Sequence, residues 1–593
     1  MCIRMVPLSF AVYRNIVMTN PTQEGDIFFF SKGRLWHVTG PTKTLAACRP
    51  EDVRTCMDEV AKAVDAGMFA AGFVAYEAAP GFDTTLITHP PGELPLAYFA
   101  LYAEPPAGTE ALAMQDSFSF GDWVPDIGEQ EYRQSIARIR DLIASGDTYQ
   151  VNYTFPMMAP FSGDALGWFH SLCAVQQSDY AAFVDLGRFK VLSISPELFF
   201  RLEGNRIETR PMKGTRPRGR WTEEDHLLAK ELLSSEKDRA ENLMIVDLLR
   251  NDMGRVSETR SVRVPRLFEL ERYETVWQMT STITSETEAS IPEIFAALFP
   301  SGSVTGAPKV RTMQVIRDLE PFPRGVYCGA IGWWAPGRRA EFNVAIRTAV
   351  VDTQQGTARY NVGGGITWDS TAAAEYEECR VKAAILTRNR PDFELLESLL
   401  YDNDYFLLER HLKRLKESAE YFGFDLDIDG VRAELTRAAS TFGHIPEKVR
   451  LLADRKGRLR IEHALLAPLG SVCLGLATEP VDDRDVFLYH KTTHRSVYEQ
   501  AKASRLDCSD VILWNQRGEI TETSIANIAL LIDGEWLTPP VSSGLLAGVM
   551  REDLLEKGRL REAVLLKTDL ARASSVVIFN SVRNWVEVRV VNV

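Results

Sequence analysis

Thr357–Asp369 reads TARYNVGGGITWD, and Thr371–Asn389 reads TAAAEYEECRVKAAILTRN. The first stretch has the composition of a strand running into three glycines; the second has the length and spacing of a helix. Consecutive glycines let backbone N–H groups approach an anion closely, although a tight turn uses them too. Glu375 and Glu378 stand three apart on the predicted helix and therefore share a face. Asp238 and Glu241 repeat that spacing in a second helical stretch, Glu223–Met253. Two such helices facing each other would gather carboxylates without histidine, the ligand chemistry of a hard cation such as Mg2+. Taken on spacing alone, both pairs also read as solvated helix faces.

Around this core, AAFVDLGRFKVLSISPELFFRLEGNRIETRP (Ala181–Pro211), GAIGWWA (Gly329–Ala335) and AEFNVAIRTAVVD (Ala340–Asp352) read as strands, and Glu129–Asp147 as an amphipathic helix. Strands and helices in runs, rather than strict alternation, predict an α+β fold. Upstream, DIFFFSKGRLWHV (Asp26–Val38) predicts two strands around a turn at Ser31–Gly33, and Val53–Gly67 a helix. A Pro/Gly-rich connection at Glu104–Gly108 follows. In ETRPMKGTRPRG (Glu208–Gly219), Lys213 stands between Pro211 and Gly214, with Arg210, Arg216 and Arg218 close in sequence. A lysine fixed among cations has a depressed pKa and can act as an amine nucleophile; a basic surface loop is the plainer reading. SGSVTGAPK (Ser301–Lys309) is a second small-residue loop leading into a helix, and it does not match a P-loop.

Composition narrows the function classes. The chain has 593 residues, 45% hydrophobic and 25% charged, ordinary for globular proteins. Its 67 basic and 81 acidic residues leave a net charge of −14, which argues against nucleic acid as the main partner. Eight cysteines without a C-x-x-C predict neither a zinc cluster nor a disulfide framework, and a reduced, cytoplasmic setting is the expectation. No apolar run reaches the length of a membrane span, so no membrane partner is expected. Met1–Asn15 has only a short apolar run broken by Pro7, unlike a cleaved leader.

Eight segments in order resemble the chorismate-utilising enzymes: SGDTYQVNYT (Ser145–Thr154), SISPELFF (Ser193–Phe200), RPMKGTRPRG (Arg210–Gly219), EKDRAENLMIVDLLRNDMGRV (Glu236–Val256), LFPSGSVTGAPKVRTMQVI (Leu298–Ile316), YCGAIGW (Tyr327–Trp333), FNVAIRT (Phe342–Thr348) and GGGITWDSTAAAEYEECRVKA (Gly363–Ala383). That resemblance implies an anthranilate synthase component I-like fold, a two-layered β-sandwich core flanked by helices. Within the family, a water-activating lysine in isochorismate- and salicylate-forming members is replaced here by Gln150, which cannot act as a base. Anthranilate-forming members carry alanine where this chain has Lys213; lysine there resembles component I of 4-amino-4-deoxychorismate synthase. Many relatives have a histidine linked to pyruvate elimination where this chain has Gln278, a departure that fits retention of the enolpyruvyl group. The resemblance makes Lys213 the nucleophile and Glu197 the general acid for the departing hydroxyl. It makes Glu241 and Glu378 direct Mg2+ ligands, with Asp238 and Glu375 holding its waters. Chorismate would be bound by Gln150, Thr305, Tyr327, Arg347, Lys382 and the Gly364–Gly365 backbone. None of the cysteines lies in a glycine-flanked nucleophile elbow, so ammonia is expected from a separate glutamine amidotransferase subunit.

A new pattern begins near Asn389-Arg390-Pro391 with FELLESLLYDNDYFLLERHLKRLKESAEYFGF (Phe393–Phe424). In FLYHKTTHRSVYEQA (Phe487–Ala501), Lys491 could form a Schiff base, and Glu522 about thirty residues on could keep a pyridinium protonated. An exposed lysine and a strand-edge glutamate are the plainer reading of those two residues. The combination resembles fold-type IV pyridoxal-phosphate enzymes, the group of branched-chain aminotransferase and 4-amino-4-deoxychorismate lyase. It implies Arg414 as a phosphate contact, Leu546, Val549 and Met550 in a phosphate-cup turn, and a hydroxyl from Ser581. The tail is shorter than a typical stand-alone member. The expected division is 1–121 as an N-terminal α+β part of the synthase, 122–388 as its catalytic core, and 389–593 as an α+β pyridoxal-phosphate domain. A homodimer through the C-terminal domain is the oligomer this resemblance allows. Joined, the halves imply a bifunctional enzyme making 4-aminobenzoate from chorismate. The alternatives are a synthase with a silent or transaminating tail, and anthranilate synthase component I.

Overall fold

The computed structural model describes residues 22–31, 34–109, 117–176, 178–387, 391–443, 445–468 and 470–591. The opening residues 1–21, the turn residues 32 and 33, and the boundary residues 389 and 390 lie outside these. The chain forms two compact units, one of Met1–Arg218 with Ala229–Arg390, the other of Gly219–Leu228 with Pro391–Val593.

The first unit is built on two large, predominantly antiparallel sheets of 11 and 10 strands. Period-two alternation assigns each face. In Ile27–Ser31, Ile27 and Phe29 enter the core shared by the two sheets, while Phe28 and Phe30 enter a second core under the helices Glu129–Ala144 and Ala165–Gln176. In Phe69–Val74, Ala71 and Phe73 face the shared core; Ala70 and Val74 face a third core with the helices Pro50–Asp65 and Glu236–Gly254. Both faces of each sheet are thus buried, giving helix, sheet, sheet and helix layers. The fold is α+β, with the two-layered sandwich flanked by helices. Strands from the first 121 residues are built into both sheets: Ile27–Ser31 pairs with Tyr180–Leu186, and Phe69–Val74 with Ala330–Ala335.

Two strand pairs place the candidate site. Thr357–Ile366 pairs along ten residues with Gln150–Gly163, setting Gly365 opposite Asn152 and Gly364 opposite Tyr153. Met212–Pro217 lies on Val276–Glu286 with Met212 opposite Thr280 and Thr215 opposite Gln278, so Lys213 and Gly214 face a single partner residue. Gly214 has φ +93°, the left-handed conformation that makes such a bulge accessible to glycine.

In the second unit, the sheet containing Leu395–Asp402, Glu447–Ala453 and Leu459–Leu465 packs one face on the helices Leu408–Phe422 and Ile428–Ala439. Two further sheets, of four and five strands, share an apolar core that includes Leu474, Ile512, Ile528 and Ile578. Gly219–Leu228 packs within this unit: Trp221 stacks on Tyr489 at 5.2 Å, and Tyr421 donates to the Gly219 carbonyl at 2.7 Å. Among the described residues, no helix is long and apolar enough to cross a membrane.

Candidate active sites

In the first unit the Lys213 bulge is held from both sides. Asn242 donates to the Lys213 carbonyl at 3.2 Å. Gln278 donates to the Gly214 carbonyl at 3.0 Å and accepts from the Thr215 hydroxyl at 3.1 Å. The bulge directs the Lys213 ammonium at the glycine strand: a Cβ at Gly365 would lie 2.8 Å from Nζ and 2.6 Å from Gln150 Nε2. Gln150 is fully buried, and among the described residues neither Nε2 nor Oε1 has a hydrogen-bond partner. A buried amide left open in this way is a polar group prepared for a ligand.

Burial lowers the Lys213 pKa, against the pull of Glu241, Glu197 and Glu378, and the neighbouring cation that adds to the lowering is Lys382. The arginines near Lys213 in sequence have other partners. Arg210 pairs with Glu271, Arg216 with Asp238 at 2.8 Å, and Arg218 donates to the Tyr273 carbonyl at 3.0 Å. The expected depression is present, but desolvation produces it, not the arginine cluster. Burial also pushes Glu197 up to about 7, opposed by its hydrogen bond with Ser303 and by Lys213. A carboxyl protonatable near neutral pH suits a proton donor.

Arg347 adopts φ +50°, and among the described residues no carboxylate lies within ion-pairing distance of it. Burial lowers its pKa, so it is a partly desolvated cation without a counter-ion. Lys382 donates to the Gly363 carbonyl at 2.8 Å and pairs with Glu378 at 2.7 Å. Tyr327 is buried, with its phenol pKa well above the usual value because of burial. Thr305 is buried, and its hydroxyl donates back to Ser301 O at 3.1 Å.

The two carboxylate pairs sit on the expected helices, Glu236–Gly254 and Ala372–Ala383. Burial raises Glu241, and the nearby Asp238 and Glu375 reinforce the rise. Glu375 accepts from Ser370 at 2.7 Å. Among the described residues, no group of three or more acidic, histidine or cysteine side chains is gathered closely enough to hold an ion; Asp238 is turned to Arg216 and Glu378 to Lys382. Chemically the donor set fits Mg2+, because it is all carboxylate oxygen and the like charges of Glu241, Asp238 and Glu375 already oppose one another. Gly364 keeps the space between them open, since its Cβ would lie 3.2 Å from Glu375 Oε2 and 4.0 Å from Glu378 Oε1.

In the second unit, the Lys491 carbonyl accepts from Leu396 N at 2.9 Å, which fixes the lysine beside Glu397. Among the described residues Lys491 has no ion-pair partner; burial first, then Arg414, lowers its pKa to about 8. Glu522 is buried and pushed up to about 7 by that burial, while Tyr498 (2.8 Å), Leu546 N (3.2 Å) and Asn527 (3.3 Å) all donate to it. Arg414 makes two hydrogen bonds to Glu397, at 2.9 and 2.6 Å, and donates to Ala547 O at 3.3 Å. Against burial, Arg414 and His411 hold Glu397 down at about 2, and His411 lies 2.7 Å from it.

The helix Val549–Glu556 begins at Gly548, so the Val549 and Met550 amides sit in a first turn, where N–H groups are open to an anion. Leu546 N–H instead serves Glu522. Ser581 is buried, and its hydroxyl reaches Ser398 O at 3.4 Å. A partly buried amine with no ion-pair partner among the described residues, a buried carboxyl, a helix start and a fixed arginine fit pyridoxal phosphate. Sequence reasoning missed Glu397 and His411 here, and the clamping role of Gln278 in the first unit. Glu397 was discoverable only by pairing it with Arg414 across a strand and a helix.

Comparison with known proteins follows this division. A family model described as chorismate binding enzyme matches residues 15–388, and one described as amino-transferase class IV matches 393–591. Aminodeoxychorismate synthase component 1 of Klebsiella aerogenes is 40% identical over 298 residues, half of this chain and 64% of that protein. Anthranilate synthase component 1 of Methanothermobacter marburgensis is 35% identical over 346 residues, 54% of this chain and 74% of that protein. The crystal structure of anthranilate synthase component I from Streptococcus pneumoniae superposes with a TM-score of 0.50 at 26% identity, covering 64% of this chain and 95% of that one. The chain spans less than two thirds of the Klebsiella relative.

Proposed function

The chain belongs to the family of chorismate binding enzymes, and on that premise we propose that it converts chorismate and ammonia to 4-amino-4-deoxychorismate and then eliminates pyruvate to give 4-aminobenzoate. The observation that carries the first step is Lys213 Nζ on its bulge, facing open Gln150 across the space that Gly365 leaves. Gln150 offers no base for activating water, and an amine stands where the substrate ring would sit.

In the proposed step, the neutral Lys213 amine bonds to a ring carbon as the bond from carbon 4 to its hydroxyl breaks. Glu197 gives its proton to the departing oxygen, which leaves as water. Ammonia then bonds at carbon 4 as the bond to Lys213 breaks, returning the amine. Arg347, Lys382, Tyr327, Thr305 and the Gly364–Gly365 backbone would orient the two substrate carboxylates. Mg2+ would be held by Glu241 and Glu378 directly, with Asp238 and Glu375 on its waters, and would supply charge opposite a carboxylate. The name "component 1" of the Klebsiella relative supports a separate glutaminase subunit as the ammonia source.

In the second unit, Arg414 and the Val549 and Met550 amides would bind a cofactor phosphate, with Ser581 nearby. Glu522 would hold a proton at the pyridine nitrogen, and Lys491 would take the proton from the ring carbon that bears the amino group and return one to the enolpyruvyl group as its carbon–oxygen bond breaks. Pyridoxal phosphate, when bound, supplies the electron sink for that chemistry. The grouping of Lys491, Glu522 and Arg414 in one unit supports an active tail over a silent one. The cytoplasm is the proposed location.

Product analysis tests the reading. The full chain is incubated with chorismate, ammonia, Mg2+ and pyridoxal phosphate. 4-Aminobenzoate is expected. Aminodeoxychorismate alone would overturn the lyase half, and anthranilate would overturn the synthase assignment.

A further inference from the structure

Arg324 is not among the substrate-facing residues of the first unit, yet its hydrogen bonds run to the segments that carry them. Its guanidinium donates to the Asn152 carbonyl at 2.6 Å and to the Val304 carbonyl at 2.8 Å. Asn152 lies two residues after Gln150 and opposite Gly365. Val304 stands between Thr305 and Ser303, and the Ser303 side chain hydrogen-bonds Glu197. These two segments also meet directly, where Asn152 N donates to the Thr305 carbonyl at 2.8 Å. A third segment is the one Arg324 itself belongs to, with Tyr327 three residues on. Glu77 grips its backbone: the two carboxylate oxygens accept from Arg324 N at 2.7 Å and from Gly325 N at 2.9 Å.

The Arg324 side chain is 2% exposed and pairs with Glu320, 4% exposed, at 2.6 and 2.8 Å. Taking both charges out of water is costly, and apolar side chains of similar volume often hold a core as well. Direction is what the ion pair adds. The planar guanidinium aims its N–H groups at fixed acceptors on separate segments, and Glu320 in turn accepts from Thr154 N at 2.8 Å and the Thr154 hydroxyl at 3.0 Å. The Tyr76 ring lies 4.6 Å from the guanidinium. We propose that Arg324 is a positioning residue of the synthase site, locking the Gln150 strand, the Ser303–Thr305 loop and the Tyr327 segment in one arrangement, with Glu77 fixing it from the N-terminal part of the chain. The inference rests on the reading of this unit as a chorismate site and adds a residue outside the substrate space on which substrate binding depends. Without the guanidinium, the buried Asn152 and Val304 carbonyls lose that donor. Gln150 and Thr305 then lose their common anchor, and a small misplacement of binding groups is expensive.

The test is the initial rate of chorismate consumption by the full chain, with ammonium chloride and Mg2+, beside a thermal melt of each sample. Arg324→Gln is expected to raise KM for chorismate about tenfold or more. Arg324→Lys keeps a charge for Glu320 but cannot reach both carbonyls, so it should raise KM nearly as much with a smaller fall in melting temperature. It is the variant that decides the matter if Arg324→Gln does not fold. A merely structural role would lower the fraction of active molecules, so apparent kcat would fall while KM stayed at the wild-type value. A folded variant with wild-type KM therefore overturns the inference and leaves the chorismate reading standing. A wild type that consumes no chorismate overturns that reading and this inference with it.

Discussion

The space beside the Lys213 ammonium is the space that Gly365 leaves empty: a single methyl group there would stand 2.8 Å from Nζ and 2.6 Å from the Gln150 amide. Gly365→Ala is therefore expected to lower synthase turnover at least a hundredfold with little change in melting temperature, because the crowded groups are side-chain ends rather than backbone. Lys213→Ala is expected to abolish ammonia incorporation. Product chromatography with a thermal melt checks both; full aminodeoxychorismate formation by Lys213→Ala would remove the lysine from the mechanism.

Glu197 titrates near 7 because it is buried. Synthase turnover is expected to fall as pH rises through that value, as the proton donor is lost. The stability effect has the same direction. A folded pKa raised above the usual 4.5 contributes stability below 4.5 relative to higher pH, and loses it as pH rises to about 7. Glu197→Gln should raise the melting temperature relative to wild type at pH 8 but not at pH 4, the gain being about 3 kcal/mol at most. Its turnover should be low at every pH. Melts and rates at the two pH values measure this; a variant with a wild-type pH profile would exclude Glu197 as the donor.

Gln278 binds the residues that follow Lys213, not the substrate space. Gln278→Ala should cost about 1–2 kcal/mol of stability and lower kcat roughly tenfold with KM for chorismate nearly unchanged. A rise in KM alone would show that the side chain contacts substrate instead.

Glu397 is buried with Arg414 and His411 and held down at about 2. Its contribution to stability is present above about 4.5 and lost as pH falls from there toward 2. Glu397→Gln leaves the partly buried Arg414 without its counter-ion, a loss of up to about 3 kcal/mol, and should weaken pyridoxal-phosphate binding, because Arg414 loses its fixed orientation. Denaturant unfolding and cofactor titration measure the two effects.

The helices bearing Asp238, Glu241, Glu375 and Glu378, and the strand ending in three glycines, were legible because each is written in local periodicity. The cause of the lowered Lys213 pKa was not. Sequence proximity suggested three arginines, but each points to a partner brought in by folding, and only the buried position remains as the main cause. The bulge at Lys213–Gly214 depends on register with Val276–Glu286, more than sixty residues away, which no local window contains. For the same reason, Gly219–Leu228 gave no sign that it packs with the tail. Gln278 was read as the absence of a histidine, whereas its two bonds make it a structural clamp.

The run of apolar residues at Ile27–Phe30 has a consequence during synthesis. One edge of that strand pairs at once with Arg34–Val38, but the other awaits Tyr180–Leu186, and Phe69–Val74 awaits Ala330–Ala335. At a translation rate of about 5–20 residues per second, the first edge stays open for roughly 8–30 seconds on the ribosome. A strand that must serve two cores is sticky on both faces throughout that wait. The nascent chain is thus a natural client for a holding chaperone, and its yield should depend on how quickly the ribosome crosses those 150 or so residues.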